Sequence, residues 1–103
     1  MKNKKEIVLC LLRKIPKGKV TTYKELAKNV NTSPRVVGQI MKNNKQLEKY
    51  PCFKVIKSDG SIGGYCGKTN GKEINKKILL LRKNGIEINN NKIDLKKYLY
   101  KFE

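Results

Sequence analysis

The chain has 103 residues, of which 25 are lysine or arginine and eight are aspartate or glutamate, so its formal net charge is +17 at pH 7. A chain of this length forms one domain with one modest core, which excludes a two-domain enzyme. The absence of histidine excludes a Ser-His-Asp triad, a Cys-His pair and a histidine-ligated metal. The charge favours a polyanionic partner, and we expect nucleic acid, with a lysine-rich surface that serves only solubility as the alternative.

The apolar run near the start of the chain and the cysteines limit the cellular location and the cofactors that we expect. The apolar run from Ile7 to Leu12 is too short to cross a bilayer, so we expect an intracellular protein that does not contact a membrane. The cysteines, Cys10, Cys52 and Cys66, are odd in number and show no C-x-x-C spacing. We therefore expect no metal, no cofactor and no disulfide framework, and we predict that Cys10 is a small buried core residue.

The first half of the chain predicts three helices. The first has an apolar stripe that ends at Pro16 and comprises Ile7, Val8, Leu11, Leu12 and Ile15. The second starts near Tyr23, because Thr22 and Glu25 have the spacing of a capping box. The third follows Ser33-Pro34, an N-cap and a first-turn proline, and runs to about Asn43. It would direct Val36, Val37, Ile40 and Met41 inward and leave Arg35, Gly38, Gln39 and Lys42 outside.

Two short helices after a longer one in a basic protein suggest a helix-turn-helix whose third helix is the recognition helix, although any three-helix bundle has a similar pattern. The second half predicts a strand from Cys52 to Ile56, a turn at Ser58-Asp59-Gly60, a helix over 72–84 that ends at Gly85, a strand over 86–88 and a docked helix over 94–102. The predicted fold is mainly helical with a short β element, a small winged helix-turn-helix-like single domain over residues 1–103.

The segment from Gly60 to Gly67 has four glycines in eight residues. We call it the glycine-rich loop. Such a density of glycine requires unusual backbone angles or the close approach of another group to the backbone. A hairpin loop and a loop that lines a flat ligand both remain open on this pattern alone.

The motif Pro51-Cys52-Phe53-Lys54-Val55, followed by Gly63-Gly64-Tyr65, resembles the O6-alkylguanine-DNA alkyltransferases, also called methylated-DNA–protein-cysteine methyltransferases. Further matches, in the family's order between about residues 7 and 86, are Ile15-Pro-Lys-Gly-Lys-Val20, Thr22-Tyr23, Leu26-Ala27, Arg35-Val-Val-Gly38, Met41, Asn44, Ile56, Ser58, Gly60, Leu80-Leu81 and Gly85. The resemblance covers the family's C-terminal, catalytic and DNA-binding domain, so we expect the family's N-terminal domain to be absent.

The resemblance implies DNA repair by direct reversal. The protein would bind double-stranded DNA as a monomer, flip an O6-alkylguanine out of the stack and move the alkyl group irreversibly to Cys52, once per molecule. Tyr23 would donate a proton to the leaving guanine, and Lys77 matches a family lysine near the site.

The resemblance also implies two sets of binding residues. The set expected to bind the flipped base is Met41, Asn44, Val55, Tyr65 and Cys66, where Asn44 is the hinge that ties the recognition helix to the cysteine strand. The set expected to contact the duplex is Thr22, Lys24, Arg35, Gly38, Lys42 and Ser58, where Arg35 enters the stack through the minor groove.

The chain departs from the family in the residues that activate the cysteine. The family's histidine after the cysteine and its glutamate before the helix-ending glycine are Phe53 and Asn84 here. We hypothesise that the positive field of the protein, with Lys54, lowers the pKa of Cys52 instead.

Two other functional classes remain open. One is the alkyltransferase-like proteins, which bind the lesion without transfer and have usually lost the cysteine, and the other is a helix-turn-helix regulator. Cys66 could form an oxidised pair with Cys52, or it could be a simple neighbour of the pocket.

Overall fold

The structure, a computed structural model, describes residues 3–46, 48–65 and 71–102. Within these residues the helices are α1 (Lys4–Leu12), α2 (Tyr23–Asn29), α3 (Pro34–Lys42), α4 (Lys72–Lys83) and α5 (Leu95–Tyr98). The strands are β1 (Thr21–Thr22) and β2 (Val55–Ile56), and Cys52–Lys54 forms a turn of 3-10 helix. The mainly helical fold with a short β element agrees with the prediction. No helix in the described ranges is long and apolar enough to cross a membrane.

Helix α1 contributes to the core, but its end and its buried residues differ from the prediction. The Asn3 side chain accepts a hydrogen bond from an amide of the first turn (2.9 Å) and so begins the helix. The helix ends at Leu12 instead of continuing to Pro16. Ile7 is 39% exposed and Cys10 is only partly buried, so both were wrongly predicted to be core residues. The reason is that a surface helix buries one stripe, whereas this apolar run extends around the helix.

Helices α2 and α3 begin where the sequence predicts. The Thr22 hydroxyl accepts a hydrogen bond from the Glu25 amide (3.0 Å) and caps α2. The Ser33 hydroxyl accepts from the Val36 amide (3.2 Å) and caps α3. The prediction that Val36 points inward is wrong, since this residue is 40% exposed. At about 100° per residue it lies about 90° from the centre of the buried stripe of α3.

A small parallel sheet joins distant parts of the chain. Strand β1 pairs with β2, with Thr21 opposite Val55. On its other side Val20 pairs with the chain after α5, where its amide donates to the Tyr98 carbonyl (2.9 Å) and its carbonyl accepts from the Tyr100 amide (2.7 Å). The predicted strand over Cys52 to Ile56 is correct only for its last two residues, because the chain turns tightly immediately after Pro51.

The C-terminal part of the chain agrees with the prediction in α4 but not after it. Helix α4 ends at Lys83, and Gly85 takes the positive φ of +84° that favours glycine after a helix. The predicted strand over 86–88 is absent from the described structure, although Ile86 and Ile88 are buried. The predicted helix over 94–102 is limited to α5, because the residues that follow pair with Val20 instead of extending the helix.

The buried residues form two clusters, one between α1, α2 and α3 and one between the sheet and α4. Phe53 is half-buried and contacts both clusters. The residue in the place of the family's histidine therefore joins the two halves of the core.

Thr21 gives a direct test of the packing of the sheet. It is fully buried, and its hydroxyl has no hydrogen-bond partner within the described part of the chain. Thr21→Val keeps the side-chain shape and removes a buried unpaired hydroxyl, so we expect the free energy of unfolding to rise by about 1 kcal/mol in urea denaturation. Thr22→Val is the matched control, where loss of the helix cap should lower that free energy by about 1 kcal/mol. A Thr21→Val protein that unfolds more easily than wild type would contradict this description.

Candidate active site and nucleic-acid interface

Cys52 is held at the start of the 3-10 turn that leads into β2. Its side chain belongs to the cluster around α1–α3, and the residue is 5% exposed. The Cys52 amide donates to the Tyr50 carbonyl (2.8 Å), and the Cys52 carbonyl accepts from the Val55 amide. Backbone hydrogen bonds thus hold the main chain of the cysteine on both sides.

Asn44 connects the end of α3 to the cysteine segment. It follows the helix, is 6% exposed and donates from Nδ2 to the Tyr50 carbonyl (2.9 Å), while Oδ1 accepts from the Gln46 amide (3.0 Å). The same Tyr50 carbonyl accepts the Cys52 amide. One carbonyl oxygen therefore joins the predicted hinge residue to the predicted nucleophile.

Tyr23, the first residue of α2, lies against the glycine-rich loop. A Cβ atom at Gly63, whose φ is +74°, would lie 3.5 Å from Tyr23 Cε2 and 3.6 Å from its hydroxyl oxygen. Burial, together with a smaller contribution from the charge of Cys52, raises the pKa of Tyr23 to about 12. The phenol thus stays protonated at neutral pH, in the electrostatic neighbourhood of the thiol.

Lys77 places an amine inside the protein. It is fully buried, and its Nζ donates to the carbonyls of Val55 (2.7 Å), Ile62 (2.7 Å) and Gly64 (2.9 Å). The pKa of Lys77 is lowered to about 7, because burial lowers it by more than the charge of Cys52 raises it. Three acceptors match the three donors of an ammonium group, so the geometry suits the charged form. Lys77 and Cys52 interact through their charges.

The hypothesis that Lys54 activates Cys52 is not supported by its position. Its Nζ donates to the Ile15 carbonyl (2.8 Å), and burial lowers the pKa of Lys54. Asn84 stands where the family has its glutamate. Its side-chain amide donates to the Leu80 carbonyl (3.1 Å) at the end of α4. Lys77 on α4 does interact electrostatically with Cys52, and sequence reasoning named it only by resemblance.

Three of the residues predicted to bind the base belong to the buried cluster that contains Cys52. Met41, Val55 and Tyr65 are buried in the same cluster as Cys52. The Val55 carbonyl accepts from Lys77, which leaves one lone pair for a second donor. Cys66 lies outside the described residues.

The outer face of α3 carries three long polar side chains, Arg35, Gln39 and Lys42, all exposed. Gly38 lies at the edge of this face, and a Cβ atom there would meet nothing within 4 Å. No contact inside the protein therefore requires glycine at this position.

A cavity of about 330 Å³ lies between the first turns of α2 and α3 and the segment after β2. Its lining residues are Tyr23, Lys24, Pro34, Lys57, Ser58 and Asp59. Two predicted DNA-contacting residues, Lys24 and Ser58, thus line the same cavity. Lys57 lines it too, and the sequence reasoning missed this residue even though it precedes Ser58.

Thr22 is 3% exposed and uses its hydroxyl as a helix cap, so it does not present that group to a ligand. No group of metal-binding side chains occurs among the residues searched, which are the described ones.

The Asn44 hinge can be tested by changing its donor into an acceptor. Asn44→Asp keeps the bond to the Gln46 amide but places a carboxylate against the Tyr50 carbonyl, so we expect a loss of about 2 kcal/mol of unfolding free energy at pH 7. The pKa of the new carboxyl would be raised in the folded protein, so the loss should shrink as the pH falls towards 4 and the acid regains a donor. Urea denaturation at both pH values measures this. Asn43→Asp, at the exposed neighbouring position, should change stability little, and equal effects at the two positions would contradict the hinge.

Comparison with known proteins agrees with this geometry. Residues 3–86 match the model of the DNA-binding domain of 6-O-methylguanine DNA methyltransferase. A methylated-DNA–protein-cysteine methyltransferase of Pyrobaculum aerophilum is 49% identical over 71 residues, which are 69% of this chain and 46% of that protein. A bifunctional methyltransferase/endonuclease of Picrophilus torridus is 47% identical over 92 residues, which are 87% of this chain and 29% of that protein.

Two solved structures resemble the fold closely. S. pombe Atl1, in complex with damaged DNA that contains O6-carboxymethylguanine, has a TM-score of 0.85 and 29% identity over 99% of this chain and 100% of that one. The O6-methylguanine-DNA methyltransferase of Pyrococcus kodakaraensis has a TM-score of 0.70 and 37% identity over 84% of this chain and 48% of that one. The chain spans half or less of the two curated relatives named above. Since the family model matches most of its length, the chain belongs to the 6-O-methylguanine DNA methyltransferase family, whose DNA-binding domain it contains.

Proposed function

We propose that the protein repairs DNA by moving the alkyl group from O6 of guanine in duplex DNA to Cys52, once per molecule. The observation that carries this proposal is the charge environment of Cys52. A protonated phenol, Tyr23, and a buried amine, Lys77, both interact electrostatically with Cys52, whose backbone is held by hydrogen bonds. The names of the methyltransferase relatives support the same chemistry.

The transfer is a single displacement. The Cys52 thiolate attacks the alkyl carbon, a carbon–sulfur bond forms, and the bond from carbon to O6 breaks with its electron pair left on the purine. Cys52 gives its proton to solvent on ionisation. Tyr23 donates a hydrogen bond and then a proton to the developing guanine anion and is reprotonated from solvent, so overall guanine gains the one proton that Cys52 lost. As sulfur becomes a neutral thioether, its contribution to the raised pKa of Tyr23 disappears. The phenol therefore becomes a stronger acid as guanine becomes a stronger base.

Lys77 takes the place of the histidine relay that this chain lacks. A free thiol with a pKa near 8.5 is only about 3% ionised at pH 7. The Lys77 ammonium favours the thiolate, and the thiolate in turn favours the ammonium, so the two groups ionise as a coupled pair. All three donors of Lys77 are already used by backbone carbonyls, so in this proposal the amine acts on the thiolate through its charge.

The outer face of α3 supplies the DNA contact in this proposal. The helix lies in the minor groove, Arg35 enters the stack in place of the flipped guanine, and Gly38 lets the backbone approach the groove. Lys24, Lys42 and Ser58 contact phosphates. Their exposure and the cavity of about 330 Å³ near Lys24 and Ser58 are consistent with this role.

Lesion binding without transfer is the second candidate. It is favoured by the likeness to S. pombe Atl1, which extends over the whole length of both chains and was observed with damaged DNA. The retained cysteine and its charged neighbours favour transfer instead, because binding alone requires neither.

Mass spectrometry distinguishes the two candidates. After incubation with duplex DNA that contains isotopically labelled O6-methylguanine, we expect the wild-type protein to gain one methyl group, located on Cys52, and Cys52→Ser to gain none. Arg35→Ala should still react with free O6-benzylguanine while losing most of its activity on duplex DNA, which separates base flipping from chemistry. Tight lesion binding with no mass gain in the wild-type protein would contradict transfer and support the second candidate.

Gly38 tests the proposed approach of α3 to the groove. Because glycine inside a helix costs about 0.5–1 kcal/mol relative to alanine, and a Cβ atom meets nothing here, Gly38→Ala should raise the free energy of unfolding by that amount. The added methyl group would lie against the duplex, so affinity for the lesion duplex should fall roughly ten-fold. Urea denaturation and a fluorescence-anisotropy titration measure the two effects. A variant that is more stable and binds as tightly as wild type would place this face away from DNA.

A further inference from the structure

Gln39 lies at the middle of the outer face of α3. The buried residues Val37, Ile40 and Met41 define the inner side of the helix. At about 100° per residue, Gln39 points about 150° away from the centre of that buried stripe. It lies one turn after Arg35 and one turn before Lys42, so it is flanked along the helix by the two cations expected to contact DNA.

The Gln39 amide is available to a ligand. No hydrogen bond of its side chain occurs in the part of the chain that the structure describes, so its two donors and its acceptor are not used there by the fold. The adjacent Gly38 has no Cβ atom and open space around it. A bare backbone next to a side-chain amide lets that amide reach the floor of a groove at short range.

The spacing along the helix indicates which base pair Gln39 would meet. With a rise of 1.5 Å per residue, Gln39 lies about 6 Å along the axis from Arg35. Neighbouring base pairs are about 3.4 Å apart along each strand. If Arg35 occupies the place of the flipped guanine, Gln39 lies over the first or second intact pair beside it.

We propose that Gln39 reads the base pair next to the flipped guanine from the minor groove and gives the protein a preference for lesions beside a guanine. This inference rests on the proposed function, in which α3 lies in that groove. Every pair presents N3 or O2 acceptors there to the Gln39 Nε2 donor, but only guanine presents an N2 amino group to the Oε1 acceptor. The discrimination therefore comes from one hydrogen bond, worth about a three- to ten-fold effect.

The experiment measures lesion affinity and single-turnover transfer on duplexes that differ only in the pairs one and two steps from O6-methylguanine on each side. The pairs are G·C, hypoxanthine·C, A·T and 2,6-diaminopurine·T, so that the minor-groove amino group and the strength of the pair vary independently. At one of these positions the wild-type protein should prefer the two pairs that carry the amino group by about three- to ten-fold. Gln39→Ala should treat all four pairs alike within about two-fold, while Asn43→Ala, at an exposed amide beyond the end of α3, should keep the preference.

Three results would overturn the inference. The wild-type protein could treat all four pairs alike at every position, or the preference could persist in Gln39→Ala. The preference could also respond to 7-deazaguanine, which alters only the major-groove edge, and not to hypoxanthine. In each of these cases lesion binding and transfer are still measured, so the proposed function stands. A wild-type protein that neither prefers nor repairs the lesion in any duplex would contradict the proposed function and this inference together.

Discussion

The buried Lys77 ammonium group is the interaction on which the site depends. An isolated charge inside a protein is costly, and three backbone carbonyls offset that cost here. Those carbonyls belong to β2 and to the glycine-rich loop, which both follow Cys52 in the sequence. One side chain on α4 therefore ties these two segments together. In the proposed function, the charge of this amine favours the Cys52 thiolate in place of the missing histidine.

A second link couples this interior to the outer face of α3. Asn44 and the Cys52 amide share the Tyr50 carbonyl, so in the proposed function a displacement of α3 by DNA would reach the backbone of the cysteine through two hydrogen bonds. Phe53 adds rigidity, because it contacts both halves of the core. In the proposed function, the position that carries the histidine relay in the family has become a packing position, and thiol activation has moved to α4.

The parts of the fold that could be predicted are those that local sequence determines. The caps at Thr22 and Ser33 and the glycine after α4 involve neighbours within a few residues, and they were placed correctly. The pairing of Val20 with Leu99 and of β1 with β2 could not be predicted, because two-residue strands carry no alternating pattern and their partners are distant in the chain. The same long-range pairing ends α5 early, against a helical pattern of apolar residues.

The candidate site, like the fold, could be predicted only in part from the sequence. The resemblance named Cys52, Tyr23, Asn44 and Lys77, but it could not say whether Lys54 or Lys77 acts on the thiol, because it does not give the distance of either amine from Cys52. The signal was present in α4, where Lys77 falls on the inner face between Ile74 and Leu81 at helical spacing. A lysine in an apolar stripe indicates a buried amine with polar partners, although only the three-dimensional structure identifies those partners.

The central claim is that Lys77 makes the Cys52 thiol reactive near neutral pH. The most direct test is the rate at which Cys52 takes the benzyl group from free O6-benzylguanine between pH 5.5 and 10, in the wild-type protein, Lys77→Met and Lys77→Arg, each first shown to be folded. The account predicts a wild-type midpoint below the value of about 8.5 for a free thiol. It also predicts a midpoint at least one pH unit higher in Lys77→Met, with partial recovery in Lys77→Arg. A wild-type midpoint at or above about 8.5, or the same midpoint in the wild-type protein and Lys77→Met, would contradict it.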